Sequence, residues 1–389
     1  MTNQTDHSKA RYIMIGGFLG AGKTTAVVAL ARHLAEQHIR VGLISNDQST
    51  GLVDTSLFAA QGFPVAEIAG GCFCCRFNSL LDASTQLTRD SRPEVFIAEP
   101  VGSCTDLVAT VSYPLRRIYG DRFTIAPLSV LLDPGRAARI LGLETARPFS
   151  EKVVYIYKKQ IEEADIIVIN KCDSISDSMR DDLVKTLEEQ FPNKRIFCCS
   201  ARDDTNLAPW FEAILSEEMD PSQAAMPLDY DRYAEGEAKL GWLNATVSLS
   251  AGEAIDANQC LVGLARTMRD RVVAAQGEIA HLKMTLDAGD PMGNLAVVSL
   301  VRNDEEPDLR ESLEDKLSEG NLVINLRAEA DPAQLSILVT ETLHEYEQSN
   351  NGLNINVEHM ESFRPGKPEP THRFSSGERD AENTLSTKA

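Results

Sequence analysis

The chain has 389 residues, 43% of them apolar, and its 38 basic against 58 acidic residues leave a net charge of −20. That length implies two domains, or three, each able to bury a core. The charge argues against binding nucleic-acid phosphates or an anionic membrane surface, both of which need a positive face, so neither nucleic acid nor membrane is an expected partner. No apolar run approaches the roughly 20 residues of a membrane span. The N-terminal MTNQTDHSKA lacks the build of a signal peptide, and a cytoplasmic location is expected. In that reducing compartment the eight cysteines are read as thiols, and three of them fall within four residues.

Residues 1–10 are polar and expected to be flexible. From 11 to 216, apolar strand-like runs at 12–15, 41–45, 95–98, 127–132, 166–169 and 195–198 alternate with helix-period segments such as 24–37 and 178–190. Short continuous apolar runs suit a parallel sheet covered on both faces. Strands alternating with helices predict a doubly wound α/β domain. From 217 to 239 the chain turns acidic, carries two prolines and loses its period, which predicts a linker. Residues 240–365 hold a faint repeat of strand, helix, strand, with one more strand at 295–301 between the copies. Two such units predict a smaller α+β domain, ferredoxin-like in outline, with its helices on one face. Residues 366–389 are polar and aperiodic, and are expected to be a disordered tail.

Gly17-Phe-Leu-Gly20-Ala21-Gly22-Lys23-Thr24-Thr25 follows the strand YIMI and opens a helix, which is the setting of a phosphate-binding P-loop. Its glycines let backbone N–H groups close around phosphate oxygens, aided by the helix N-terminus. Lys23 bridges β- and γ-phosphates in such a loop, and the Thr24 hydroxyl ligates Mg²⁺. Asn170-Lys171-Cys172-Asp173 ends another strand. A carboxylate there accepts guanine N1–H and the 2-amino group, a donor pair adenine lacks. GTP and GDP are therefore the expected ligands. Ser200-Ala201, after the next strand, resembles the loop that meets guanine O6. Glu99-Pro-Val-Gly102 ends the strand EVFIA, where the acid reaches the Mg²⁺ shell through water or positions an attacking water. Asp47, at the end of another strand, reads equally as a carboxylate near Mg²⁺ or a transferred metal, and as a turn acid.

Gly70-Gly71-Cys72-Phe-Cys74-Cys75 is the second strong feature. Thiolates favour Zn²⁺ and related soft ions, and Co²⁺ or Ni²⁺ would bind as well. Three thiolates leave a tetrahedral ion one open position, which suits an ion that is handed on. A redox pair, or three small buried side chains, are the competing readings.

Together GGFLGAGKTT, EIAGGCFCC, EPVG and QIEEADIIVINKCD resemble the CobW-type metallochaperone GTPases, relatives of the urease and hydrogenase nickel-chaperone GTPases. The resemblance spans about 11–215. It implies slow Mg²⁺-dependent GTP hydrolysis coupled to a cysteine metal site. It carries over Lys23 and Thr24 as phosphate and Mg²⁺ residues, Glu99 as the Walker-B-like acid, with Gly102 near the γ-phosphate, Asp173 as guanine reader and Cys72, Cys74 and Cys75 as ligands. It implies a client metalloprotein or cofactor-dependent enzyme as partner, and a homodimer as one expected assembly. Three features depart from it, one being that the C-terminal domain shows little of the usual family pattern, so that target and partner do not carry over. The seven histidines are scattered rather than clustered, and Asp47-Gln-Ser-Thr replaces the usual Glu-Phe-Gly-Glu. The alternative reading is a GTPase switch that loads a cobalamin-type or other cofactor without a thiol-bound metal.

Overall fold

The computed structural model describes residues 9–46, 58, 61–145, 149–287 and 294–378. The first sheet holds β1 (Ala10–Gly17), β2 (Val41–Asn46), β3 (Val65–Ile68), β4 (Val95–Glu99), β5 (Phe123–Ile125), β6 (Ser129–Leu132), β7 (Ile166–Ile169) and β8 (Arg195–Cys198). Its order is β3-β2-β4-β1-β6-β7-β8, with β5 paired to the start of β1. Every pairing is parallel. Helices connecting its strands include α1 (Lys23–Glu36), α2 (Phe77–Asp90), α3 (Tyr113–Tyr119), α4 (Pro134–Ile140), α5 (Glu151–Glu163) and α6 (Asp177–Gln190), with α7 (Ala208–Ser216) after β8. Alternation along β1 divides the core. Tyr12 and Met14 join the apolar cluster of α2 and α5, while Ile13 and Ile15 join that of α1 and α7. The doubly wound parallel sheet is therefore as expected. Its unforeseen strands, β3 and β5, are four and three residues long, too short to show a period.

The second sheet holds β9 (Leu240–Ile255), β10 (Glu278–Asp287), β11 (Leu295–Leu300), β12 (Asp308–Glu311), β13 (Leu317–Glu329) and β14 (Leu353–Phe363). It is antiparallel throughout, in the order β12-β11-β10-β13-β9-β14. Helices α9 (Ala257–Ala274) and α10 (Pro332–Ser349) cover one face through Leu261, Leu264, Leu335 and Val339. The two strand–helix–strand copies interleave rather than lie side by side. The first leaves a one-strand gap between β9 and β10, and β13 of the second fills it. The result is the ferredoxin-like order, extended by the β11–β12 hairpin.

The other face of this sheet is polar and turned toward the first domain. Ser299, Lys283, Asn325 and Asn244 stand in one cross-strand row, all but Asn325 buried. Asn325 donates to Asn244 Oδ1 at 3.0 Å, and Asn244 to Glu361 Oε1 at 3.0 Å. Arg136 on α4 pins the two domains. It is 3% exposed, donates to Ala280 O at 3.0 Å and to Val301 O, and lies over the rings of Phe149 and Phe18.

Two segments differ from expectation. Within 217–239 the chain forms α8 (Tyr230–Glu237), whose Tyr233 and Glu237 are buried. A Cβ at Gly236 would stand 2.5 Å from Lys152 O, so only glycine lets α8 pack this close to α5. Residues 366–378, read as part of a disordered tail, lie against the first domain. Thr371 N–H donates to Cys74 O at 2.8 Å, Phe374 N–H to Ala109 O at 2.9 Å, and Arg373 to Asp106 at 2.7 Å. Their anchors are backbone groups, the ion pairs Arg373–Asp106 and Lys367–Asp231, and the rings of His372 and Phe374, which set no hydrophobic period in the sequence. Residues 1–8 and 379–389 lie outside the described residues, and Ala10 already belongs to β1. No described helix is long and apolar enough to cross a membrane.

Candidate functional site

Residues 17–22 link β1 to α1 at the C-terminal edge of the parallel sheet, where such folds bind nucleotides. Gly22 caps α1 with φ of 88°, and a Cβ there would sit 2.4 Å from Asn170 Nδ2. Lys23 is buried, with Nζ 3.9 Å from Glu99 Oε1. The Thr24 hydroxyl donates to that same oxygen at 3.2 Å. A hydroxyl and a carboxylate side by side form the hard oxygen pair that Mg²⁺ takes, so these residues fit that ion. Gly102 presses on the loop closely enough that a Cβ would meet Leu19 N at 3.0 Å. Gly20, Gly22, Lys23, Thr24, Thr25, Glu99 and Gly102 line one cleft. Gly17 stands just behind it as the last residue of β1.

An adjoining cleft of about 360 Å³ is lined by Gly22, Thr25, Asn170, Lys171 and Asp173. Asp173 is exposed to it from a 3₁₀ turn. Asn170 braces the loops around it. Its Nδ2 donates to Ala21 O at 2.9 Å and its Oδ1 accepts from Ala201 N–H at 3.0 Å. That N–H is thus engaged within the protein, and Ala201 acts here as a brace. Ser200 donates to Asp203 at 3.1 Å. Lys171 donates to Gly20 O and to Asp133 Oδ2, each at 2.7 Å. Burial opposes ionisation of Asp133, but Lys171 and Arg136 outweigh it and hold its carboxyl down to about 2.

The three thiols converge. Cys72 Sγ lies 2.8 Å from Cys74 Sγ and 3.1 Å from Cys75 Sγ, and the latter two are 3.7 Å apart. A tight turn does this, with Cys75 and Arg76 N–H groups both donating to Cys72 O. Among the described residues these cysteines form the group of side chains close enough to hold a metal ion. Hydrogen bonds from Cys104, Cys74 and Cys75 hold the Cys72 thiol well below its ordinary range. Accepting such a bond favours a thiolate, the ligand form. Asn46, which lines the cleft with Lys23 and Thr24, ties this loop to the end of β2. Its Nδ2 donates to Ile68 O at 2.9 Å and Gly71 O at 2.7 Å. Asp47 lies outside the described residues.

A family model for the CobW/HypB/UreG nucleotide-binding domain matches residues 11–204. Residues 11–204 belong to that family. Among the relatives, the zinc chaperone YeiR of Escherichia coli is 29% identical over 41% of this chain and 46% of its own. The zinc chaperone CobW of a Sinorhizobium species is 28% identical over 46% of this chain and 55% of its own. The zinc-regulated GTPase metalloprotein activator 1 of Dictyostelium discoideum is 24% identical, over 45% and 42%. The chain spans about half the length of these curated relatives.

Several residues around the CobW-type domain escaped the sequence reading. Asp133 has a readable signal, as an acid ending strand β6 beside the nucleotide edge. Cys104 has one too, two residues beyond Gly102, but isolated from the other thiols in sequence. His281, Lys283, Arg310 and Arg327 have none. They come from the second sheet and line the same cleft as Lys23. Arg310 donates to Thr25 Oγ1 at 3.3 Å. His281 is one of the seven scattered histidines. It is half-buried in this cleft, bonded to Ser299 at 3.3 Å.

Proposed function

We propose that this chain is a slow, Mg²⁺-dependent GTPase that binds a thiophilic metal ion, zinc foremost, and delivers it to a client protein. One observation carries the reading: the Cys72–Cys75 turn is clamped by Asn46, a residue of the phosphate cleft. Lys23 holds the β- and γ-phosphates, and Asp173 selects guanine. Thr24 and Glu99 hold Mg²⁺, which neutralises charge on the phosphate oxygens. The γ-phosphate engages Gly102 and the end of β2, and Asn46 passes the movement to the thiols. The names of the relatives support zinc as the cargo.

The test is one preparation on which GTP turnover is measured and Zn²⁺ and Co²⁺ are titrated. Nucleotide-free, GDP-bound and GTP-analogue-bound protein are compared. One ion per chain, with an affinity that depends on nucleotide, is expected. Linkage then requires the metal to change nucleotide affinity by the same factor. Equal metal affinity in all three states overturns the coupling, and absence of turnover overturns the GTPase.

A further inference from the structure

We propose that Cys104 is the fourth thiolate of the metal site and that Glu237 is the acidic group supporting the ion from across the same cavity. This rests on the reading of Cys72, Cys74 and Cys75 as metal ligands. The three thiols alone leave one position of a tetrahedral ion open. A cavity of about 270 Å³ adjoins them, and Cys72, Cys75, Cys104, Tyr233 and Glu237 all line it. Cys104 is 3% exposed and lines this cavity beside Cys72, outside the tight triplet that Cys72, Cys74 and Cys75 form. Glu237 is 2% exposed, and neither carboxylate oxygen has a hydrogen-bond partner by geometry. A buried carboxylate without a partner is costly, and a bound cation removes that cost.

The surrounding structure holds both groups in place. Gln160 on α5 donates to Gly102 O at 3.0 Å and to Cys104 O at 2.8 Å, fixing that loop from behind. The Tyr233 hydroxyl accepts from Thr105 N–H at 3.3 Å and donates to Ser103 O at 3.4 Å. Tyr233 and Glu237 stand four residues apart on α8, so one helix face carries both. The tail closes the outer side, with Glu369 N–H donating to Cys75 Sγ at 3.3 Å.

This ligand has a mechanical consequence. Cys104 follows Gly102 by two residues, and Gly102 abuts the P-loop at Leu19. A shift of Gly102 toward a γ-phosphate therefore moves one metal ligand directly, while the other three sit on a separate loop. Four thiolates hold the ion in one nucleotide state. Withdrawal of Cys104 leaves three and an open position through which a client ligand enters.

The wild-type protein with one equivalent of Zn²⁺ tests this by X-ray absorption. Four sulfur neighbours at about 2.3 Å are expected. Three sulfurs with an oxygen or nitrogen overturn the assignment of Cys104. Cys104→Ser is then compared by Co²⁺ titration, with GTP-analogue binding as a check on folding. Its thiolate-to-cobalt absorption should fall by about a quarter, and its dependence on nucleotide should disappear. Glu237→Gln should weaken Zn²⁺ binding by roughly 10- to 100-fold with the sulfur count unchanged, as supporting groups do. An unchanged affinity overturns its part. The Cys72→Ser/Cys74→Ser/Cys75→Ser protein separates the two readings. If it loses the ion while Cys104→Ser does not, only the fourth ligand fails; if it keeps the ion, the thiol site itself fails.

Discussion

Lys23 is almost fully enclosed by the protein, 7% exposed, and shares Glu99 Oε1 with Thr24. An ammonium held there has little freedom, so its charge is aligned before a phosphate arrives. Preorganised donors of this kind are each worth about 3–4 kcal/mol at a transferring group. Lys23→Ala should therefore lower GTP turnover by at least 100-fold, with thiol alkylation by a small reagent unchanged. Turnover within a few-fold of wild type would remove Lys23 from the phosphate site. The signal for this residue was fully local. A loop needs glycines where its backbone wraps a phosphate and a cation next to them, and those residues are consecutive. Asp173 and the three clustered cysteines were legible for the same reason. Asp133 was not singled out, because its partner Lys171 lies 38 residues further along the chain.

At the scale of the element, the loop after β4 is held by α5. Glu163 accepts from the Thr105 hydroxyl at 3.0 Å and from Val108 N–H at 3.4 Å. Burial first, and Asp106 second, push its carboxyl up to about 8, against an ordinary value of 4.5. The folded protein thus keeps a proton that the unfolded chain releases. Stability from this group is fully present below about 4.5 and is lost as pH rises through 8. Glu163→Gln retains an acceptor for Thr105 and removes the titration. Its melting temperature should fall less than that of wild type between about pH 5 and 9. The slope should not vanish, because burial also pushes Glu237 up to about 8. Parallel melting profiles for the two proteins would show that Glu163 does not carry the effect. Helix α8 shows why this region was illegible. Eight residues, with the small Gly236 at the contact, carry too few apolar positions to set a period, and their burial comes from α5.

For the whole molecule, the deciding feature is the polar face of the second sheet. Lys283, Arg310 and Arg327 line the cleft at Lys23, proposed to take the phosphates, although the chain as a whole carries a net charge of −20. A local cationic wall in a narrow cleft raises the potential felt by a phosphate regardless of the overall sign. Lys283→Ala and Arg310→Ala should each weaken binding of a GTP analogue by about 10-fold, in the range of a single charge-assisted hydrogen bond. Zn²⁺ binding in the absence of nucleotide should be unchanged. Unaltered nucleotide affinity in both variants would leave the second domain with no part in the phosphate site.

By itself the sequence determined the elements whose physics is local: the P-loop, the Asn170–Asp173 turn, the thiol triplet, the parallel sheet and the repeated strand–helix–strand units. Each depends on neighbours in the chain or on a short period, and those are written consecutively. Tertiary structure alone decided what faces what. It interleaved the two repeats, laid their polar face over the cleft at Lys23 and Thr24, folded 230–237 and 366–378 onto the thiols, and brought Cys104 and Glu237 to one cavity. The reason is physical: a sheet's alternation says which residues share a face, whereas the partner of that face is set by packing between segments far apart in the chain.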